Sequence, residues 1–111
     1  MAEILTDKQL DHVIKDYLSK LRGKINLDKV VLFGSYAKGT ATELSDVDIL
    51  IISKDLSPNE PKCKNGFYLG NLVGEFNPRL EVMAINPKKL NNPIEKGFFE
   101  EILTTGKEIS F

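Results

Sequence analysis

Residues 30–52 read VVLFGSYAKGTATELSDVDILII. The apolar run Val30 to Phe33 breaks at Gly34-Ser35, and ten residues separate Ser35 from Asp46-Val47-Asp48. A second apolar run, Ile49 to Ile52, follows at once. The β-branched and aromatic residues of KVVLF (29–33) and VDILII (47–52) predict two strands. The second is apolar on both faces, which marks a central strand. Two carboxylates therefore stand at the start of a buried strand, facing a turn where another strand ends. Charge in such a place needs a partner, because an uncompensated ion near a core is costly.

The flanking sequence supplies the elements around this pair. Thr6 with Gln9 forms a capping box, Leu5 and Leu10 fit a hydrophobic staple, and Gly23 closes the segment, so residues 6–22 predict a helix. Its buried face is Leu10, Val13, Ile14, Tyr17, Leu18 and Leu21, and His12 falls outside that face as a solvated residue. Ser35 to Thr42 holds a turn or two of helix before Gly39 and the threonines end it. SKDLSPNEPKCKNG (53–66) reads as a polar loop containing Cys63 as an incidental thiol. FYLGNLVGEF (67–76) is ambiguous, since Gly70 and Gly74 weaken a helix. A turn at Asn77-Pro78 leads to a third strand, RLEVMAI (79–85), ended by Asn86-Pro87. IEKGFFEEILT (94–104) predicts a helix with Ile94, Phe98, Ile102 and Leu103 on its apolar face, and Lys107 to Phe111 add a short last strand. The order predicts a single α/β (α+β) domain over 1–111, a small mixed sheet flanked by helices.

Composition narrows the function classes. The chain has 111 residues, 41% hydrophobic and 28% charged, which suits one modest core. A separate substrate-binding domain would have to come from another chain. Net charge is −1, from 15 basic and 16 acidic residues, so the overall field gives no reason to expect nucleic acid. One cysteine and one histidine exclude an internal disulfide and a Cys/His zinc site. The charged start MAEILTDKQLDHVIKDYL is unlike a signal peptide and no apolar run approaches a membrane span, so the expected compartment is the cytoplasm. Phe67, Tyr68, Phe98, Phe99 and Phe111 are candidates for a partner surface, although a small domain needs most such residues in its core.

The spacing of the carboxylates has a chemical consequence. Alternate strand residues share a face, so Asp46 and Asp48 point the same way with Cα atoms about 7 Å apart. Two like charges at that separation favour a cation, and hard carboxylate oxygens suit Mg²⁺ or Mn²⁺. Gly34 lets the backbone approach a ligand closely, and Ser35 supplies a hydroxyl and an N–H. Free N–H groups at a helix start favour phosphate. A phosphate cradle beside a divalent-metal pair is what phosphoryl or nucleotidyl transfer requires. Glu81, inside the apolar strand RLEVMAI, is the best third carboxylate, and Glu75 is the runner-up.

Gly34-Ser35, ten residues and Asp46-Val47-Asp48 resemble the signature of the DNA polymerase β-type nucleotidyltransferase superfamily. The fuller string GSYAKGTATELSDVDILI is similar to its minimal nucleotidyltransferases, whose pattern is Gly-Ser-x-Ala-Arg-Gly followed by Ser-Asp-x-Asp and two hydrophobic residues. The N-terminal helix, the acidic third strand and the closing Glu-Ile-Leu-x-x-Gly at 101–106 also sit where that family has them. The resemblance covers most of the chain, more weakly over 53–78. It implies a polymerase β-like fold, with nucleotide phosphates at Gly34, Ser35 and Lys38. Asp46, Asp48 and Glu81 would be the catalytic, metal-binding acids. It also implies AMP transfer from ATP to a hydroxyl, and an antitoxin role beside a small all-helical partner of the HEPN type. Homo- and hetero-oligomers are both open. Lys38 stands where arginine is frequent, keeping charge without a bidentate fork, and Glu81 stands where aspartate is commoner. Two further readings remain: a binding module that neutralises its partner by contact, and the catalytic subunit of a split small-molecule transferase of the antibiotic-modifying kind.

Overall fold

The first helix, α1 (Asp7–Leu21), begins with the capping box that its sequence spells. The Gln9 N–H donates to Thr6 Oγ1 at 3.1 Å, and the Thr6 N–H donates to Gln9 Oε1 at 2.9 Å. Arg22 is its C-cap and Gly23 follows with φ of 86°. The computed structural model describes residues 4–60 and 62–111, and the side chains of 62 and 63 lie outside that description, so the reading of Cys63 does too.

The other elements are β1 (Lys29–Phe33), α2 (Ser35–Lys38), β2 (Val47–Ile52), α3 (Lys62–Val73), β3 (Leu80–Ile85), a 3₁₀ turn (Pro87–Asn91), α4 (Lys96–Thr105) and β4 (Lys107–Glu108). The strands form a mixed sheet in the order β3-β2-β1-β4. β1 runs antiparallel to β2 and to β4, whereas β2 and β3 are parallel. A parallel pair requires a crossover rather than a hairpin, and α3 occurs in that connection.

The doubly apolar β2 is indeed central, because both of its faces are covered. Val47, Ile49 and Ile51 join Val30 and Leu32 beneath α1 and α3, where Ile14, Tyr17, Leu18, Leu21 and Leu69 complete one core. Leu50 and Ile52 join Val31 and Ile85 on the opposite face, covered by Phe99 and Ile102 of α4. At about 1.5–3 kcal/mol for each fully buried aliphatic or aromatic side chain, this double coverage dominates the fold's stabilisation.

Four readings of the sequence are corrected. The segment taken as a loop to residue 66 enters α3 at Lys62, and the ambiguous stretch after it is helical to Val73. Glycine obscured it: a Cβ at Gly66 would lie 2.5 Å from the Val82 carbonyl oxygen, so close packing of α3 on β3 outweighs helix propensity. The apolar face of α4 is rotated from the predicted one. Phe99 and Ile102 point inward, while Ile94 precedes the helix and is 92% exposed. The aromatic residues assigned mainly to the core also differ, since Phe67, Tyr68, Phe98 and Phe111 are exposed and only Phe99 of the five is buried. The last strand is two residues long rather than five.

Tyr17 is fully buried edge-on against Phe76, with ring centroids 5.1 Å apart. Its hydroxyl has no hydrogen-bond partner among the described residues, and burial pushes its pKa up to about 12. Tyr17→Phe removes an unsatisfied polar atom and keeps the ring. It is expected to raise stability by about 1 kcal/mol, read as a higher urea midpoint at unchanged m-value.

Candidate active site

The decisive feature is a row across the sheet. The register pairs Phe33 with Asp48, and Asp48 with Glu81. Paired residues share a face, so Asp48 and Glu81 meet on the α4 side of the sheet, at the end where β1 turns into α2. Asp48 is half-buried, whereas Asp46, just before β2, and Glu81, on the edge strand β3, are exposed. Glu81 lies within the apolar strand as its sequence reads, with its side chain exposed. Its position on an edge strand avoids most of the desolvation cost, and what it meets is another carboxylate.

That meeting alters the acid. Burial, a hydrogen bond to Glu81, the charge of Glu81 and the charge of Asp46, in that order, push the Asp48 pKa from 3.8 up to about 6. The hydrogen bond with Glu81 therefore favours the protonated form of Asp48, and Asp46 acts on Asp48 through its charge. Among the described residues no three acidic, His or Cys side chains are gathered into a closed metal-binding cluster. The donor set nevertheless fits a hard divalent cation: oxygen-only ligands, mutual repulsion and a proton that a cation would displace.

Gly34 holds the other half. It caps α2 with φ 73° and ψ −154°, a backbone region essentially reserved for glycine. A Cβ there would collide with Asp48 Oδ2. Gly34 is thus required twice, by backbone conformation and by the carboxylate that occupies the space a side chain would fill. The absence of a side chain at Gly34 lets Asp48 Oδ2 lie close to its backbone. α2 then runs for one turn, with the Lys38 N–H donating to the Gly34 carbonyl at 3.1 Å and the Thr40 N–H donating to the Ser35 carbonyl at 3.0 Å. Ser35 is half-buried and Lys38 is exposed on the last turn of α2.

Arg79 fastens the two halves together, a role that sequence reasoning missed. Its Nη2 donates to Tyr36 Oη at 2.8 Å and to the Ser45 carbonyl at 3.0 Å. Tyr36 is buried in α2, and Ser45 precedes Asp46, so one guanidinium spans the glycine turn and the approach to the acids. The Tyr36 hydroxyl also accepts from the Leu5 N–H at 3.1 Å. The Val47 N–H donates to the Arg79 carbonyl at 2.7 Å, which aligns β2 with β3. An arginine at the start of the predicted acidic strand was the available signal. Glu75, the runner-up acid, is exposed after α3, and its carbonyl accepts from Lys20 Nζ at 2.6 Å.

The chain is thus an α/β domain whose mixed sheet sets a glycine turn beside a row of carboxylates. The nucleotidyltransferase domain family matches residues 13–104, and the chain belongs to that family. A Methanocaldococcus jannaschii relative named a "putative protein adenylyltransferase" is 33% identical over 95 residues, which is 86% of this chain and 89% of the relative. The fold matches the crystal structure of a "putative nucleotidyltransferase" from Sulfolobus solfataricus with TM-score 0.64 and 16% identity, covering 91% of this chain and 79% of that one. It also matches a chain of a toxin–antitoxin crystal structure with AMP-PNP, with TM-score 0.52 and 23% identity, over 85% of this chain and 69% of that one. Among the described residues no helix is long and apolar enough to cross a membrane.

Proposed function

We propose that this nucleotidyltransferase moves AMP from ATP to a hydroxyl on a protein partner. We further propose that it serves as the antitoxin of a pair whose other member is a small all-helical protein of the HEPN type. The observation that carries the reading is the contact of Gly34 with Asp48, which puts the glycine turn and the acid row in one place. The relative named as a protein adenylyltransferase and the toxin–antitoxin neighbour support it.

In this reading Gly34 and Ser35 receive the phosphates at the start of α2, and Lys38 adds positive charge from its last turn. Asp46, Asp48 and Glu81 would hold Mg²⁺ or Mn²⁺, which supplies charge neutralisation to the triphosphate when bound. Glu81, on the exposed edge strand, is the carboxylate that an acceptor hydroxyl can reach. The hydroxyl oxygen bonds to the α-phosphorus, its proton passes to a carboxylate, and the bond to pyrophosphate breaks. Arg79 keeps the turn and the acids at fixed separation through Tyr36 and Ser45, and such positioning is a large part of phosphoryl-transfer catalysis.

The test is incubation with α-labelled ATP, Mg²⁺ and the protein encoded by the adjacent reading frame. Label is expected on the partner with the wild type and to be absent with Asp46→Asn. Silencing of the partner by both proteins without any label would establish contact in place of catalysis.

A further inference from the structure

Phe98, Glu101, Ile102 and Thr105 lie at i, i+3, i+4 and i+7, a single helical stripe on α4. Together with Phe33, Gly34 and Lys38 they line an open cavity of about 140 Å³. It borders the glycine turn directly, and Phe33 stands in the same row as Asp48. Its size suits one part of a ligand, since complete small-molecule sites run to about 300–1,000 Å³. A larger hollow of about 430 Å³, between α1 and the C-terminal residues and lined by Lys15, Arg22 and Phe111, shares no residue with the carboxylate row.

The lining is divided by chemistry. Phe98 is 41% exposed, although Phe99 beside it is buried; their rings meet edge-on with centroids 5.4 Å apart. Ile102 forms a buried apolar floor. Lys38 and Glu101 are both exposed, and neither has an ion-pair partner among the described residues. The Thr105 hydroxyl donates to the Glu101 main-chain carbonyl at 2.8 Å, and Glu101 itself lines the cavity.

We infer that this cavity takes the base of the nucleoside triphosphate whose phosphates lie at Gly34-Ser35. The inference rests on the proposed function above. Phe98 is the stacking platform, with Ile102 beneath it. Glu101, one helical turn further along the same stripe, stands at the edge of a ring stacked on Phe98. A carboxylate only accepts hydrogen bonds, so it selects a base that presents an amino group there. Lys38 stays with the phosphates. The chain would therefore carry its own base site, without a second domain.

Binding of ATP, inosine triphosphate and inorganic tripolyphosphate, each with Mg²⁺, tests the assignment by titration calorimetry. Phe98→Ala is expected to weaken ATP about tenfold, the scale of one lost base–aromatic stack, and to leave tripolyphosphate within about twofold. Phe98→Trp should retain ATP binding. The wild type should prefer ATP to inosine triphosphate, which has a carbonyl in place of the amino group, and Glu101→Gln should narrow that preference. ATP binding that Phe98→Ala leaves unchanged, or a preference that Glu101→Gln leaves unchanged, would overturn the base site alone. A wild type that binds neither ATP nor tripolyphosphate would overturn the phosphate reading beneath it.

Discussion

Asp48→Asn is expected to lower nucleotidyl transfer at least about 10³-fold, and at the same time to stabilise the metal-free protein. The first effect follows from the demands of the reaction, since even one lost electrostatic contact at a transition state costs about 10²–10³. The second follows from linkage. The Asp48 pKa is raised from 3.8 to about 6 by burial, then by Glu81 and Asp46, so the native state holds its proton more tightly than the unfolded chain. Between about pH 4 and pH 6 the native state binds more protons, and this group's contribution to stability therefore falls as pH rises through that window. Above it the full penalty remains. Asparagine mimics the protonated acid at every pH, so the variant should lack this fall. Because the group is only half-buried, solvent screening reduces the expected gain at pH 7 to about 1 kcal/mol, or about 4 °C in Tm. Thermal melts of both proteins in EDTA at pH 4.5 and 7 check it. A variant no more stable than wild type at pH 7 would show that the row carries no stored repulsion.

Gly34→Ala should be strongly destabilising, because it combines backbone strain with a collision. The backbone at φ 73° and ψ −154° costs an L-residue of order 1–3 kcal/mol, and the new Cβ meets Asp48 Oδ2. A total near 3 kcal/mol is expected, seen as a Tm about 10 °C lower, with transfer lost because Asp48 is pushed out of its row. The two causes separate in a double-mutant cycle. In an Asp48→Gly background the collision disappears and only the backbone strain persists, so the penalty of Gly34→Ala should shrink by more than about 1 kcal/mol. Equal penalties in both backgrounds would mean that the carboxylate moves aside freely and that strain alone fixes this glycine.

Local sequence was informative wherever the physics is local. The Thr6–Gln9 capping box, β1 and β2 with their bounds, and the doubly buried character of β2 all follow from neighbouring residues, and the structure has each of them. The α4 stripe was less legible. FFEEIL offers two adjacent aromatics, and periodicity alone does not decide whether Phe98 or Phe99 turns inward. Contact with Val31 and Leu50 decides for Phe99. α3 was hidden because Gly66 lowers helix propensity for the sake of close packing on Val82, a residue of a later strand.

The candidate site divides in the same way. The residue types and spacing of Gly34, Ser35, Asp46 and Asp48 lie within one stretch, and the sequence by itself determined the chemistry they can support: a phosphate turn and a pair of hard anionic ligands. It determined the mixed α/β class as well. Which residue stands opposite Asp48, and what ties the glycine turn to the approach to Asp46, is decided only by tertiary structure. Glu81 stands opposite Asp48 because β2 and β3 pair in parallel at one register, and Arg79 reaches Tyr36 and Ser45 because that pairing delivers it there. Strand register is set by how two distant hydrophobic runs fill a common core, and one residue of slip would send Glu81 to the other face. That information is spread across the whole chain, and only the folded protein brings it to one place.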